Sequence, residues 1–273
     1  MHISDLHFHR LPRNPAAYLS KRLLGGLNLA LSRHKQFPIE RVQALVKRLD
    51  EMAWDYLVIT GDLTQLGTER EFALAHQTLA PLLARGPERV IVMPGNHDRY
   101  VREVPGAGAF EHHFGAFAPV DGVGFHQLDA TWHLAAWDSA APAPWFSAAG
   151  RVPSHVLDAT AEWMGTLPNQ AKVIVANHYP VFFYRGFHYI ASHDLKNQIQ
   201  VRKWLRTHPV SLYLHGHIHR NWVLPVKGTD PPMTVVNSAA SAQLRRAGAK
   251  VSDFHRITLA GGQAHIEGLK ISG

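Results

Sequence analysis

The sequence contains no cysteine. Disulfide bridges and thiolate metal sites are therefore excluded. No apolar run approaches the roughly 18 residues that a membrane-spanning helix needs. Candidate metal ligands begin at Asp5, so a cleavable leader would remove them. We therefore expect a cytoplasmic protein, with contact to a membrane surface as the alternative discussed below.

Positive charge and histidine are abundant instead. The 273 residues are 46% hydrophobic, which is enough for a globular protein with a substantial core. The formal net charge of +7 favours anionic partners such as nucleotides, although charge alone does not distinguish such binding from ordinary solubility. One site can use only a handful of the 20 histidines, so their spacing decides which of them are of interest.

Four short aliphatic or β-branched runs each end directly in a polar cluster. The runs are 56–60, 89–93, 172–176 and 211–214, and the clusters after them begin at Gly61, Pro94, Asn177 and His215. A very short opening strand, residues 2–4, leads to a fifth cluster at Asp5 and His7. Such runs favour strands buried on both faces. Polar residues just past their carboxyl ends occupy the usual binding site of an open α/β sheet.

Helical patterns separate these predicted strands. Pro38 can open a helix whose apolar positions continue to Met52. Thr68 and Glu71 form a capping box for the next helix. Further helices are predicted over 154–167 and 194–207, and short strands over 234–237, 254–259 and 264–267. Strand–helix alternation followed by strands predicts an α/β fold in which two sheets pack together with helices outside.

Together the five clusters supply carboxylate, amide and imidazole groups. The candidate ligands are Asp5, His7, Asp62, Asn96, His178, His217 and His219. Imidazole with carboxylate suits Mn, Fe, Zn, Co or Ni, of which we favour Mn or Fe. Seven ligands exceed the needs of one ion but suit two ions roughly 3.5–4 Å apart that share a carboxylate. A water between two such ions would be ionised near neutral pH and can attack phosphorus in line.

The motifs resemble those of the calcineurin-like metallophosphoesterase superfamily, in a bacterial phosphodiesterase-type branch. In chain order they are Asp5-x-His7, Gly61-Asp62, Gly95-Asn96-His97-Asp98, His178 and Gly216-His217-x-His219. Each motif alone could be a turn or a strand end, but five in the family's order are specific. The resemblance implies a four-layer α/β/β/α sandwich of two mixed sheets, here as a single domain over residues 1–273.

The resemblance also implies roles for the motif residues. The first metal's ligands would be Asp5, His7 and His219, the second metal's Asn96, His178 and His217, and the bridging ligand Asp62. Asn96 and His97 would contact the substrate phosphate, and His97 would protonate the leaving group. Asp98 would orient the His97 imidazole.

Other histidines and the tryptophans have simpler interpretations. Loop histidines are usually solvated or structural, and this is predicted for His9, His112, His113, His126, His188 and His193, with His9 and His188 as the best candidates for exceptions. His215 is predicted to pack behind the site rather than bind metal. Core packing is favoured over a substrate wall for Trp132, Trp137 and Trp145.

The segment Leu19–Lys35 allows two interpretations. Leucines recur at every fourth position among several basic residues, which is typical of an amphipathic helix. As an insertion over about 11–36, it is either a flap that contacts a membrane surface or lipid-linked substrate, or a cap packed on the protein. Gly25-Gly26 weakens any helix there.

The motifs differ at several positions from those of related branches of the superfamily, and these differences limit the candidate substrates. Residues 61–67 lack the Gly-Asp-x-x-Asp-Arg-Gly pattern of protein Ser/Thr phosphatases, and Gln65 replaces the metal-binding tyrosine of purple acid phosphatases. His97 stands where one branch of lipid A precursor pyrophosphohydrolases has arginine.

We expect a phosphodiesterase or pyrophosphatase that acts on a small nucleotide-like substrate. The alternatives are a hydrolase of a lipid-linked nucleotide such as UDP-2,3-diacylglucosamine, a nuclease (disfavoured, since no nucleic-acid-binding motif is present), and a non-catalytic scaffold.

Overall fold

A computed structural model describes residues 1–10, 36–99, 108–140, 148–184, 194–238, 240–244 and 252–271. The segment Leu19–Lys35 lies outside the described residues. The strands are β1 (His2–Ile3), β2 (Leu57–Ile59), β3 (Val90–Val92), β4 (Val123–Gln127), β5 (Trp132–Trp137), β6 (Lys172–Ala176), β7 (Val210–His215), β8 (Asn221–Val226), β9 (Met233–Ser238), β10 (Phe254–Ala260) and β11 (Gln263–Leu269). The helices are α1 (Ile39–Asp50), α2 (Glu69–Leu83), α3 (Ala109–Phe114), α4 (Ser154–Thr166) and α5 (Gln198–Thr207). None of these helices is long and apolar enough to cross a membrane.

The strands form two mixed sheets. The first has the order β11-β10-β1-β2-β3, in which β1, β2 and β3 run parallel and β10 and β11 antiparallel. The second has the order β4-β5-β6-β7-β9-β8, with a parallel centre and antiparallel edge strands β4 and β8. Strands β2, β3 and β6 are buried along nearly their whole length, which explains their uninterrupted apolar runs.

Apolar side chains fill the space between four layers. Helices α1 and α2 pack on the first sheet through residues such as Leu45 and Phe72. Helices α4 and α5 pack on the second sheet through Val156 and Leu205. A third group, which includes Ile174, fills the space between the two sheets. The predicted α/β/β/α sandwich is confirmed.

Helix α2 begins as its sequence predicts. The Thr68 hydroxyl accepts a hydrogen bond from the Glu71 backbone N–H at 3.3 Å, and the Glu71 carboxylate accepts one from the Thr68 N–H at 3.2 Å. Glu71 also accepts a hydrogen bond from the Leu66 N–H at 2.9 Å. The capping box therefore fixes both the helix start and the loop that leads back towards Asp62.

Other boundaries differ from the prediction. Helix α5 begins at Gln198 rather than Asp194. Asn197 is its N-cap residue, but the Asn197 side chain makes no capping bond and instead bonds the backbone of Val152 at 2.8 and 3.2 Å. Helix α3 and strand β8 were not predicted. β8 contains Pro225, which normally counts against a strand but is tolerated at the edge of a sheet.

Candidate metal centre

The predicted metal ligands follow the carboxyl ends of five strands. In the order of β1, β2, β3, β6 and β7 they are Asp5 and His7, Asp62, Asn96, His178, and His217 and His219. Strands β1 to β3 are parallel, as are β6 and β7, so the loops after them emerge at common sheet edges. The structure brings all seven side chains together in two groups that share one residue.

The first group comprises Asp5, His7, Asp62 and His219. One potential ligand atom from each lies within 4.8 Å of all the others. The Nε2 atoms of His7 and His219 are 2.8 Å apart, and His219 Nε2 lies 3.6 Å from Asp5 Oδ1. His7 Nε2 lies 3.9 Å from Asp62 Oδ2. These atoms point towards a common centre, as the ligands of one ion do.

The second group comprises Asp62, His178, His217 and Asn96. His178 Nε2 lies 3.0 Å from His217 Nδ1, 3.1 Å from Asn96 Oδ1 and 3.5 Å from Asp62 Oδ2. The same Asp62 oxygen therefore faces a histidine of each group. A carboxylate shared in this way is what a two-metal site requires.

Backbone conformation is unusual at these positions. Five of the seven predicted ligands have positive φ: Asp5 (54°), His7 (51°), Asp62 (53°), His217 (74°) and His219 (45°). Side-chain-bearing residues rarely adopt this region, and such strain is concentrated at functional sites. The strained turns are held by backbone hydrogen bonds, from the Asp5 N–H to the Gly61 carbonyl at 3.0 Å and from the His7 N–H to the Asp62 carbonyl at 3.0 Å.

Two glycines allow the ligand loops to approach one another. A Cβ at Gly216 would collide with the side chains of Ser4 and Asp5, and one at Gly95 with the side chain and backbone of Asp62. Neither glycine has a positive φ. Their small size, rather than conformational freedom, is what the site requires.

We expect Gly216→Ala to lower metal occupancy, because the added methyl group must displace the Ser4 side chain and the Asp5 carboxylate. Overpacking of this kind typically costs about 1–3 kcal/mol. Gly165→Ala is the matched control, since Gly165 lies in α4 and an added Cβ there would meet nothing within 4 Å beyond its chain neighbours and the backbone of its own helix. It should bind metal normally and gain roughly 0.5–1 kcal/mol of stability from the better helix former. Metal analysis and thermal unfolding of both variants test this; normal metal content in Gly216→Ala would contradict it.

The donor set fits divalent transition-metal ions. His178 Nδ1 lies 2.7 Å from the Thr60 carbonyl, which can only accept, so Nδ1 carries the proton and Nε2 presents a lone pair to the site. Burial lowers the pKa of His178 to about 4, so the ring is neutral as a ligand must be. Burial also raises the pKa of the Asp5 carboxyl. Cations at the centre would compensate for the lost hydration of the buried carboxylates.

This arrangement agrees with a comparison against known families. The family model described as calcineurin-like phosphoesterase matches residues 1–221 of the chain. The chain belongs to this family. The resemblance inferred from the motifs is therefore confirmed at the level of the family, while the bacterial phosphodiesterase-type branch stays a prediction.

Solved structures share the fold of this phosphoesterase at low sequence identity. A dimetal phosphatase from Danio rerio is 13% identical with a TM-score of 0.59, over 86% of this chain and 85% of that one. A protein of Thermus thermophilus is 14% identical with a TM-score of 0.52, over 98% and 96%. A purple acid phosphatase from yellow lupin (Lupinus luteus) seeds is 11% identical with a TM-score of 0.54, over 92% and 46%. No curated protein matches the chain in sequence.

His97 of this phosphoesterase lies beside the metal groups without being part of either. Its ring is half-buried and packs edge-on against the His7 ring, with 4.9 Å between the centroids. Its Nδ1 lies 2.7 Å from the Gln65 carbonyl and therefore donates to it. Its backbone N–H donates to Asp62 Oδ1 at 2.8 Å. The fixed Nδ1–H leaves Nε2 as the atom that gains and loses a proton.

The predicted role of Asp98 needs correction. Its carboxylate does not hold the His97 ring, whose Nδ1 is bonded to Gln65. Instead it accepts hydrogen bonds from the backbone N–H groups of Leu63, Thr64 and Gly95 at 2.9–3.1 Å, and from the Thr64 hydroxyl at 2.9 Å. Asp98 therefore ties the loop after β3 to the loop after β2, and it supports His97 and Asp62 only through the backbone.

The other histidines considered in the sequence lie outside the two metal groups wherever the structure describes them. His215 is buried, bonds the Gly216 carbonyl at 2.9 Å and contacts the Trp222 ring, so it packs behind the centre as predicted. His9 bonds the His7 carbonyl at 3.4 Å. His126 is half-buried on β4, and His112 and His113 lie in a separate cluster described below. His188 and His193 lie outside the described residues.

The prediction of core packing is confirmed for Trp132 and Trp137. Trp132 is 2% exposed and Trp137 is fully buried, with its Nε1 donating to the Thr160 hydroxyl at 2.9 Å. Both side chains belong to the core rather than to a substrate wall. Trp145 lies outside the described residues.

Two residues that support the ligands were not predicted. Phe37 packs edge-on against the His7 and His219 rings, with centroids 4.6 and 5.5 Å apart. Asn177 accepts a hydrogen bond from the His178 N–H at 2.8 Å and donates one to the Tyr213 hydroxyl at 2.9 Å. Adjacency to His178 was a signal for Asn177, but no local pattern connects Phe37 with residues so far away in sequence.

Proposed function

We propose that this chain is a two-metal phosphodiesterase or pyrophosphatase that acts on a small nucleotide-like substrate. The observation that carries the proposal is the position of Asp62, whose Oδ2 faces His7 of one ligand group and His178 of the other. All seven predicted ligands are present and close together, which argues against a scaffold that has kept only the fold.

The ligand groups define which residues would hold each ion. Asp5, His7 and His219 would hold the first, Asn96, His178 and His217 the second, and Asp62 both. When bound, such ions supply a nucleophile at neutral pH and neutralise charge on the phosphate. We favour Mn or Fe, because imidazole, carboxylate and amide donors without thiolate suit these metals.

The chain's own contribution to bond cleavage would come from His97. Gln65 and the backbone bond to Asp62 fix its ring beside the first ligand group. A protonated Nε2 would then donate a proton to the leaving oxygen. The bond from Nδ1 to the Gln65 carbonyl keeps the ring in the orientation that this requires. A positioned acid matters most when the leaving group is a poor one, such as a sugar hydroxyl.

An aromatic and cationic edge supports a nucleotide-like substrate. Arg220 directly follows the ligand His219, and its Nη1 donates to the Tyr184 hydroxyl at 3.2 Å. The Tyr184 ring meets the Trp222 ring at 5.2 Å, edge to face. Tyr184 is 38% exposed, so part of its ring is open to a ligand. Aromatic rings stack on nucleobases, and guanidinium groups bind phosphate.

The lipid-linked alternative depends on a different part of the chain. It requires Leu19–Lys35 to act as a flap that contacts a membrane surface or an acyl chain. That segment lies outside the described residues, so this alternative rests on the sequence alone. A UDP-lipid substrate would still use the same metal ligands and His97.

We expect metal-free protein to regain hydrolysis on addition of Mn²⁺ and to prefer bis(p-nitrophenyl) phosphate over p-nitrophenyl phosphate. The preference should exceed about tenfold in kcat/KM, which corresponds to about 1.4 kcal/mol in the barrier. Preference for the monoester would instead indicate a phosphomonoesterase. Inactivity with every transition metal would contradict the proposed function. Cyclic nucleotides and UDP-lipids are the next substrates to compare.

A further inference from the structure

A second kind of histidine cluster lies on the surface, between α2 and α3. Glu69, His112 and His113 each place a potential ligand atom within 4.8 Å of the other two. His113 Nε2 lies 2.6 Å from Glu69 Oε1, and the His112 and His113 rings meet with centroids 4.8 Å apart. None of the three belongs to the two groups around Asp62.

The cluster is partly preorganised. The His113 side chain is only 14% exposed and lies nearly parallel to the Phe72 ring, with 6.5 Å between the centroids. His76 on α2 is also near, with its ring 5.8 Å from that of His113. Glu69 opens the first turn of α2, and its side chain is 60% exposed. One ligand is thus held by packing, while the carboxylate can adjust.

We propose that Glu69, His112 and His113 form a third metal site, separate from the centre, for a borderline divalent ion such as Zn²⁺. Two imidazoles and one carboxylate form a common zinc donor set, in which water completes the tetrahedron. Two ligand atoms bonded at roughly 2.0–2.1 Å with a tetrahedral angle lie about 3.3 Å apart. His113 Nε2 and Glu69 Oε1 are 2.6 Å apart and would have to separate by about 0.7 Å, which the exposed Glu69 carboxylate can do by a small rotation of its side chain.

Such an ion would join α3 to the first turn of α2. Glu69 is already linked to α3 by its hydrogen bond to His113. That bond alone would explain their approach, but it does not explain why the His112 ring is also turned towards the pair. The proposal does not depend on the proposed hydrolytic function.

Counting bound zinc tests the site. The full chain is stripped of metal, dialysed to equilibrium against Zn²⁺, and analysed for zinc per chain. We expect three ions in the unmodified protein and two in each of Glu69→Gln, His112→Ala and His113→Ala. His265→Ala is the matched control, because His265 is exposed on β11 and remote from all three ligands. It should retain three ions.

The variants also distinguish the loss of a zinc ligand from a general loss of stability. His113→Ala opens space beside Phe72. Glu69→Gln keeps the size of an exposed side chain and should lower the unfolding temperature in the absence of zinc only slightly, through a weaker bond to His113 and the loss of one charge at the start of α2. In Asp62→Ala, which disrupts the central pair, an ion at the third site should still be bound and should be lost on adding Glu69→Gln. Equal zinc content in the unmodified protein and all three ligand variants would overturn the proposal, and so would an unmodified protein with only two ions.

Discussion

Asp62→Ala should leave the metal centre with at most one bound ion and the protein without measurable hydrolysis. One Asp62 oxygen faces both histidine groups, so its removal takes a ligand from each ion at once. Loss of a group that merely supports a metal ligand typically costs about 10–100-fold in metal affinity or activity. Loss of the shared ligand should exceed that range. Metal analysis after dialysis against Mn²⁺, together with diester hydrolysis, measures both effects.

Asp62→Ala also removes the acceptor of the His97 N–H, which lies 2.8 Å from Asp62 Oδ1. An unsatisfied buried donor costs about 1–3 kcal/mol, so the variant could lose metal because its loop has loosened. Asp62→Asn separates the two effects, because the amide oxygen can still accept from His97 while the bridging charge is gone. We expect Asp62→Asn to fold with near-normal stability and still fail to hold two ions at the centre.

A control for general destabilisation is available in Asp253. This buried carboxylate bonds Arg41 at 2.9 Å and the Ile271 N–H at 3.0 Å, and neither of these partners belongs to a ligand loop. Asp253→Ala should lower the unfolding temperature and keep both ions of the centre. Two ions bound at the centre of Asp62→Asn would contradict the bridging role, whatever the stability of that variant.

The features that sequence could predict are those encoded within a few residues. The run 172–176 and the capping box of Thr68 and Glu71 appear in the structure at the predicted positions, because burial on both faces and N-cap chemistry leave local signatures. The ligands could be predicted for a related reason. Each ligand lies in a loop after the carboxyl end of a strand, so the apolar run before it was enough to predict that all of them meet at that end of the sheets.

What sequence could not predict depends on contacts between distant segments. The partner of His97 Nδ1 is the backbone carbonyl of Gln65, and any residue type can supply a carbonyl. The adjacent Asp98 was the more obvious partner, but its oxygens are occupied by N–H groups of the loop after β2. The sequence likewise predicts a helix that includes Asn197, whereas the Asn197 side chain bonds the backbone of Val152 and the helix begins one residue later. In each case a tertiary hydrogen bond overrides a reasonable local interpretation.

His97→Ala should keep both ions of the centre and slow turnover of an alkyl or nucleoside diester by about 10²–10⁴-fold, the usual contribution of a positioned general acid. The ions should stay because the bond that supports Asp62 comes from the backbone N–H of residue 97, which alanine retains. The metal content of the variant therefore tests whether His97 is a ligand. The rate tests whether its imidazole acts in the reaction.

The leaving group makes the test of His97 specific. p-Nitrophenolate leaves readily without a proton, whereas an alkoxide such as a ribose hydroxyl needs one. The defect of His97→Ala should therefore be small with p-nitrophenyl diesters and large with an alkyl or nucleoside diester. Gln65→Ala is the matched control: it keeps the carbonyl that bonds Nδ1, so it should retain most of the activity. An equal loss of rate with both leaving groups would mean that His97 binds the phosphate rather than protonates the leaving oxygen. An unchanged rate with both substrates would mean that His97 has no role in the reaction.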